Sequence, residues 1–306
     1  MSGVVVDRPR VRALARAILR FGLKPVFAPQ VPLAFQRRYV EAAASGNLPP
    51  RGTRASEETL GGVPGERVQP PAGPGNATIV YLHGGGYVLG SARADRVLAA
   101  GLAQGAGASA FAPDYRLAPE YPFPAALDDA VAVYRALLER GADPNAIALA
   151  GDSAGGGLTL ATALRLREEG LPLPAALVLI SPWLDLTLSG ASVSERADAD
   201  PMLSVAGVAS WAALYLDGRS ADEPGASPLF ADLTGLPPTL VQVGSDEILL
   251  SDSERFTERA GAAGVTVELE VYEGLWHDFQ LHAGVLSSSG AALERAGAFI
   301  GRHLSR

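Results

Sequence analysis

From residue 77 onward, short uninterrupted apolar runs alternate with longer segments of helical periodicity. The segments 79–82, 108–112, 147–150, 176–180, 239–243 and 266–271 read as strands, the first as a buried one. Segments 93–104, 125–140, 154–169, 251–263 and 290–304 read as helices. In the second of these, Asp128 and Asp129 lie in the first turns and Arg135 and Arg140 towards the end, as the helix dipole favours. Strand, helix, strand in succession implies parallel pairing with right-handed crossovers. The expected class is therefore α/β, an open doubly wound sheet with helices on both faces. Residues 47–76 are rich in turn formers, with strand-like pieces at 58–60 and 66–69. Residues 185–225 break the alternation with polar turns and one helix near 205–215, an expected insertion over one end of the sheet.

The chain has 306 residues, enough for one large α/β domain with an insertion or for two domains. Its 48% apolar and 19% charged residues exclude a disordered chain. A net charge of −8 speaks against a nucleic-acid partner, which would require a basic face. The absence of cysteine removes thiol nucleophiles and thiolate metal sites. Only His83, His277, His282 and His303 remain as candidate bases. Residues 1–40 carry +7, from eight basic side chains against Asp7, so the remainder carries −15 of the total −8. Val11, Leu14, Ile18 and Phe21 recur at helical spacing there. Two readings compete: an interfacial lipid-binding helix, and a helix laid on the domain with its arginines in solvent, which the short, narrow stripe favours. With no secretory signal and no membrane-spanning run, the expected location is cytoplasmic, without stable membrane insertion.

Ligands of open α/β sheets lie at the carboxyl ends of the strands, so candidate chemistry is sought just after each one. After 147–150 comes Gly151-Asp152-Ser153-Ala154-Gly155, the pattern of a sharp strand-to-helix turn that exposes a serine at a helix amino end. After 79–82 comes His83-Gly84-Gly85-Gly86, whose glycines let backbone amides approach a developing oxyanion. Gly84, Gly85 and Ala154 are the expected donors, with His83, Gly86 and Asp152 supporting them. A serine needs a base oriented by a carboxylate. His277 follows the strand 266–271 and is the expected base, while His282 and His303 are expected to be structural. The strand 239–243 runs into Asp246, the first choice for the carboxylate; the adjacent Glu247 could substitute, and Asp252 lies too far along. The order Ser153, Asp246, His277 is that of α/β-hydrolases.

The chain resembles the hormone-sensitive-lipase-like esterases of the α/β-hydrolase superfamily, bacterial family IV. The resemblance rests on His83–Gly86, on Asp114-Tyr115-Arg116-Leu117-Ala118-Pro119-Glu120 with Pro122-Phe123-Pro124-Ala125-Ala126, on Gly151–Gly156, on Ser181-Pro182-Trp183 with Asp185-Leu186, and on the His277 loop. It implies an α/β-hydrolase domain over 46–306, with residues 1–45 and the segment 185–225 forming a mostly helical cap. One departure lies after Asp246, where Glu247-Ile248-Leu249-Leu250-Ser251-Asp252 replaces the usual Pro-Leu continuation.

The implied activity is hydrolysis of short- to medium-chain carboxylic esters through an acyl-enzyme, with a small-molecule ester as partner and no cofactor or metal. Dimers are common among relatives, so a homodimer is compatible with the resemblance. Amide hydrolysis would use the same residues, and a lipase would make use of the basic start. The related plant hormone receptors lack the histidine that His277 supplies, and Gly105-Ala106-Gly107 precedes a strand, the wrong context for a dinucleotide site.

Overall fold

The computed structural model of the protein describes residues 7–73 and 75–305. The described residues contain an eight-stranded sheet of order β1-β2-β4-β3-β5-β6-β7-β8. Its strands are β1 (Arg54–Leu60), β2 (Val63–Gln69), β3 (Thr78–Leu82), β4 (Ser109–Pro113), β5 (Ile147–Asp152), β6 (Ala176–Ile180), β7 (Thr239–Gly244) and β8 (Val267–Tyr272). β1 and β2 form an antiparallel hairpin, β2 joins β4 antiparallel, and every other pairing is parallel. The expected doubly wound architecture is present, with the two pieces near 58 and 66 as its antiparallel edge.

The helices are α1 (Pro9–Ile18), α2 (Leu33–Ala44), α3 (Arg96–Ala106), α4 (Ala125–Glu139), α5 (Ser153–Glu168), α6 (Ala191–Glu195), α7 (Val205–Leu216), α8 (Leu250–Ala262) and α9 (Ser287–His303). Successive residues of a strand face opposite ways, and in β3 to β7 both faces are covered, which is why these strands read as apolar runs. Val80 and Leu82 belong to the core shared with α4, α5 and α8, whereas Ile79 and Tyr81 pack with α3 and α9. No helix among the described residues is long and apolar enough to cross a membrane.

Residues 9–44 and the segment 191–216 meet beyond the carboxyl ends of the parallel strands. Phe27 packs edge-on against Trp211 at 4.9 Å, and the Trp211 indole donates to Gln36 Oε1 at 3.1 Å. Lys24 Nζ donates to the Asp200 carbonyl at 2.7 Å. The first six residues of the expected cap lie outside the described residues.

The orientation of α1 differs from the expectation. Leu14, Ile18 and Phe21 are 61%, 60% and 77% exposed, while Ala15 and Leu19 are buried. The arginines expected in solvent include two that dock the helix, Arg16 on Asp246 (2.8 Å) and on the Ala199 carbonyl, and Arg20 on the Asp198 carbonyl. Unsatisfied carbonyls of the 197–200 turn and one carboxylate thus draw the basic face inward, which an apolar stripe of three turns does not outweigh.

α3 and α9 cross where glycine meets glycine. A Cβ at Gly297 would stand 2.6 Å from Gly105 Cα, and one at Gly105 would stand 3.0 Å from Gly297 Cα. Backbone cannot give way as a flexible side chain can. Gly297→Val is therefore expected to destabilise the fold by about 1–3 kcal/mol through overpacking, read as a lower urea denaturation midpoint.

Candidate active site

Ser153 occupies the turn between β5 and α5 with φ +51°, a left-handed conformation uncommon outside glycine. The turn is possible because its neighbours lack side chains. A Cβ at Gly151 would fall 2.3 Å from the Gly155 carbonyl, and one at Gly155 would fall 2.0 Å from the Leu82 carbonyl. Close approach to β3 at both points leaves the serine hydroxyl projecting from the start of α5, where the dipole favours negative charge.

His277 lies in the loop after β8 and is buried. Its Nε2 is 2.9 Å from Ser153 Oγ, and its Nδ1 is 2.8 Å from Glu247 Oε2. The carboxylate that reaches the ring is thus Glu247 and not Asp246, the residue first expected. β7 ends at Gly244, and in the turn that follows it the two adjacent carboxylates diverge. Asp246 is turned outward to Arg16, and Glu247, fully buried, is turned inward to the ring.

A buried carboxylate needs partners for both oxygens. Glu247 Oε1 accepts from Ser181 Oγ at 2.9 Å and from the Gly244 amide at 2.6 Å. Burial raises the Glu247 pKa, against His277 and the Gly244 amide, which lower it. Ser181 belongs to the Ser-Pro-Trp motif, which by itself points to no role at the site; its hydroxyl also accepts from the Asp278 amide at 3.2 Å. Burial works against a charged His277, but the carboxylates of Asp278 and Glu247 outweigh it and hold the pKa well above 6.5.

The glycine loop departs from expectation at one position. The Gly84 amide donates to Asp95 Oδ2 at 3.0 Å, so it is already engaged. Among the described residues, the amides of Gly85, Gly86 and Ala154 donate to no protein acceptor. Gly86, expected only as support, therefore exchanges places with Gly84. Both Gly85 and Gly86 have positive φ, +108° and +61°, and a Cβ at Gly85 would lie 2.4 Å from the Leu89 carbonyl. Asp152 supports the loop from below, accepting from the Tyr81 hydroxyl, and a Cβ at Gly84 would collide with its carboxylate at 2.1 Å.

His83 braces the same loop. Its Nδ1 donates to the Gly84 carbonyl at 2.7 Å, its ring stacks on Tyr115 at 4.2 Å, and the Tyr115 hydroxyl donates to the His83 carbonyl. Tyr115 belongs to the 114–120 motif, whose Arg116 is held by Asp129 and whose Glu120 is held by Arg37. Asp129 is thus tied up in packing the motif, beyond the dipole role read from its position. His282 and His303 bond to the Phe279 and Phe299 carbonyls and take no part in the Ser153 cluster.

A cavity of about 70 Å³ opens at Ser153 and His277, lined also by Gly85, Gly86, Asp95 and Trp211. A larger cavity of about 270 Å³, lined by Ile18, Leu19, Leu23, Tyr39 and Ala43, shares Phe27, Val40, Asp95, Met202 and Leu281 with it. Together they lead from the serine to the underside of α1 and α2.

A family model of the alpha/beta hydrolase fold matches residues 79–281. The chain belongs to the α/β-hydrolase family. Its structural likeness lies in the hormone-sensitive-lipase branch of that family. An esterase described as from the bacterial hormone-sensitive lipase family superposes with a TM-score of 0.93 at 41% identity, over 98% of this chain and 100% of that one. A structure of EstE5 soaked with p-nitrophenyl butyrate superposes with a TM-score of 0.92 at 40% identity, over 97% and 99% of the two chains. An acetyl-hydrolase of Streptomyces hygroscopicus is 46% identical over 242 residues, 79% of this chain and 81% of that one.

Buried His83 has its pKa lowered from the ordinary 6.5 to about 4, because burial penalises the charged ring more than the Gly84 carbonyl and Glu41 favour it. Unfolding takes up a proton wherever pH lies between those values. The stability that the neutral ring contributes is complete above 6.5 and is lost as pH falls towards 4. The urea midpoint should fall across that window, and His83→Gln should flatten part of the fall.

Proposed function

We propose that this α/β-hydrolase hydrolyses carboxylic esters with short to medium acyl chains, using Ser153 as nucleophile, His277 as base and Glu247 as the carboxylate that orients it. The observation that carries this reading is the continuous hydrogen-bonded line from Ser153 Oγ through both nitrogens of His277 to Glu247, on a strained strand-to-helix turn. Ionised Glu247 accepts from Nδ1–H, which leaves Nε2 of the neutral ring free to take the serine proton.

Nε2 removes that proton as Oγ attacks the ester carbonyl. The oxyanion is met by the amides of Gly85, Gly86 and Ala154, the three left without an internal acceptor. The imidazolium then protonates the departing alcohol, and the same nitrogen activates water to release the acid and restore Ser153. Residues 7–45 and 185–225 act as a cap, supplying Phe27, Val40, Met202 and Trp211 to the cavity over the serine. The larger apolar cavity beyond them gives room for an acyl chain. Likeness to an acetyl-hydrolase and to an esterase soaked with a butyrate ester supports the acyl range.

The test is a p-nitrophenyl ester series of rising chain length, run beside a fluorophosphonate probe that labels activated serines. Turnover should be highest on the shorter esters, and Ser153→Ala should abolish both turnover and labelling while the fold persists. Glu247→Gln should lower kcat by about 10⁴-fold, since an amide can stabilise the wrong ring tautomer and carries no charge for the imidazolium. Asp246→Asn should leave kcat unchanged and cost stability only through its pair with Arg16, about 0–1 kcal/mol. Full turnover in Glu247→Gln with a collapse in Asp246→Asn would overturn the assignment.

A further inference from the structure

Nε2 of His277 has a second neighbour that ester hydrolysis does not call for. Asp278 Oδ2 lies 3.1 Å from it, beside Ser153 Oγ. Asp278 is buried, and its Oδ1 has no hydrogen-bond partner among the described residues. The backbone of Asp278 is left-handed, φ +50° and ψ +37°, a conformation in which glycine would be at ease. Its amide is fixed to Ser181 Oγ, the hydroxyl that also holds Glu247. The carboxylate is thus presented to the reacting edge of the ring by the same residue that secures the opposite edge.

That edge has one position to share. In the neutral ring Nε2 carries a lone pair, which accepts from the serine and offers Asp278 nothing. In the imidazolium Nε2 carries one proton, which both Oγ and Oδ2 can accept. We propose that Asp278 is a positioning residue for the hydrolytic reaction: it competes with Ser153 for Nε2, favours the imidazolium, and restricts the active neutral ring to a more alkaline range. The inference rests on the reading of His277 as base. The same carboxylate steadies the imidazolium that forms when Ser153 attacks, so loss of activity on the acid side accompanies support of the intermediate.

The other groups around the ring act in the same direction. Glu247 meets Nδ1, and Asp152 on β5 and Asp200 in the turn before α7, whose pKa values burial raises, also interact with the ring. Asp95, at the start of α3, faces Asp278 and lines the same cavity; burial and then that charge push its pKa up to about 7. Arg16 of α1, which reaches the loop after β7, is engaged by Asp246.

The experiment compares kcat/KM on p-nitrophenyl acetate, and the rate of inactivation by phenylmethylsulfonyl fluoride, from acid to alkaline pH in wild type, Asp278→Asn and Asp278→Gly. The second rate reports the free enzyme's serine without turnover. In both variants the acid limb of both profiles should move down by about 1–3 pH units, the effect of removing an adjacent opposite charge. Asp278→Gly also relieves the left-handed backbone, so it stands in if the asparagine variant does not fold. Limbs that stay in place or move up in the folded variants would overturn the inference. Failure of the underlying reading is separate, since it would show as labelling and turnover that survive Ser153→Ala.

Discussion

Burial of one carboxylate decides how this site is built. Glu247 has no access to solvent, and a charge in such a place is tolerable only when its oxygens are bonded. The Gly244 amide, the Ser181 hydroxyl and His277 Nδ1 meet that demand, and they arrive from β7, from the end of β6 and from the loop after β8. Three neighbouring strands of the parallel sheet are therefore tied at their carboxyl ends by a single side chain. The histidine gains a fixed tautomer and direction, which sets Nε2 against the serine presented by β5.

The glycine loop after β3 obeys a related constraint. Its backbone is pressed between Asp152 below, Leu89 behind and Trp211 above, so that side chains are excluded at Gly84, Gly85 and Gly86 for three different reasons. His83 and Tyr115 hold one end of the loop, and Asp95 takes the Gly84 amide. The amides of Gly85 and Gly86 are left without an internal acceptor. The motif at 114–120 serves this bracing through Tyr115, and none of its residues lines the cavity at Ser153.

The cavity over the serine takes one wall from the sheet and the other from residues 9–44 and 191–216. The arginines of α1 secure that second wall by bonding to carbonyls of the 197–200 turn, which leaves the apolar row of Leu14, Ile18 and Phe21 facing outward. Charge at the start of the chain is thus spent on internal docking as much as on solvation.

Much of this was legible in the residues. The alternation of apolar runs and helical segments gave the strand and helix order, because a parallel sheet covered on both faces leaves little freedom in either. Ser153 and His277 were legible because a strained turn needs flanking glycines and because only four histidines were available. Three matters were not. Asp246 and Glu247 are adjacent, and which one turns inward depends on the turn after β7 and on Arg16, 230 positions away in sequence. Gly84, Gly85 and Gly86 are identical in sequence, and Asp95, which removes one of them from the donor set, is brought in by the fold. The outward face of α1 depends on distant carbonyls that want donors. The sequence by itself determined the types of residue and their order, since these follow from local sterics and periodicity. The tertiary structure decided which of several equivalent neighbours faces the ring, the loop or the solvent, since burial and charge pairing act only between groups that the fold has brought together.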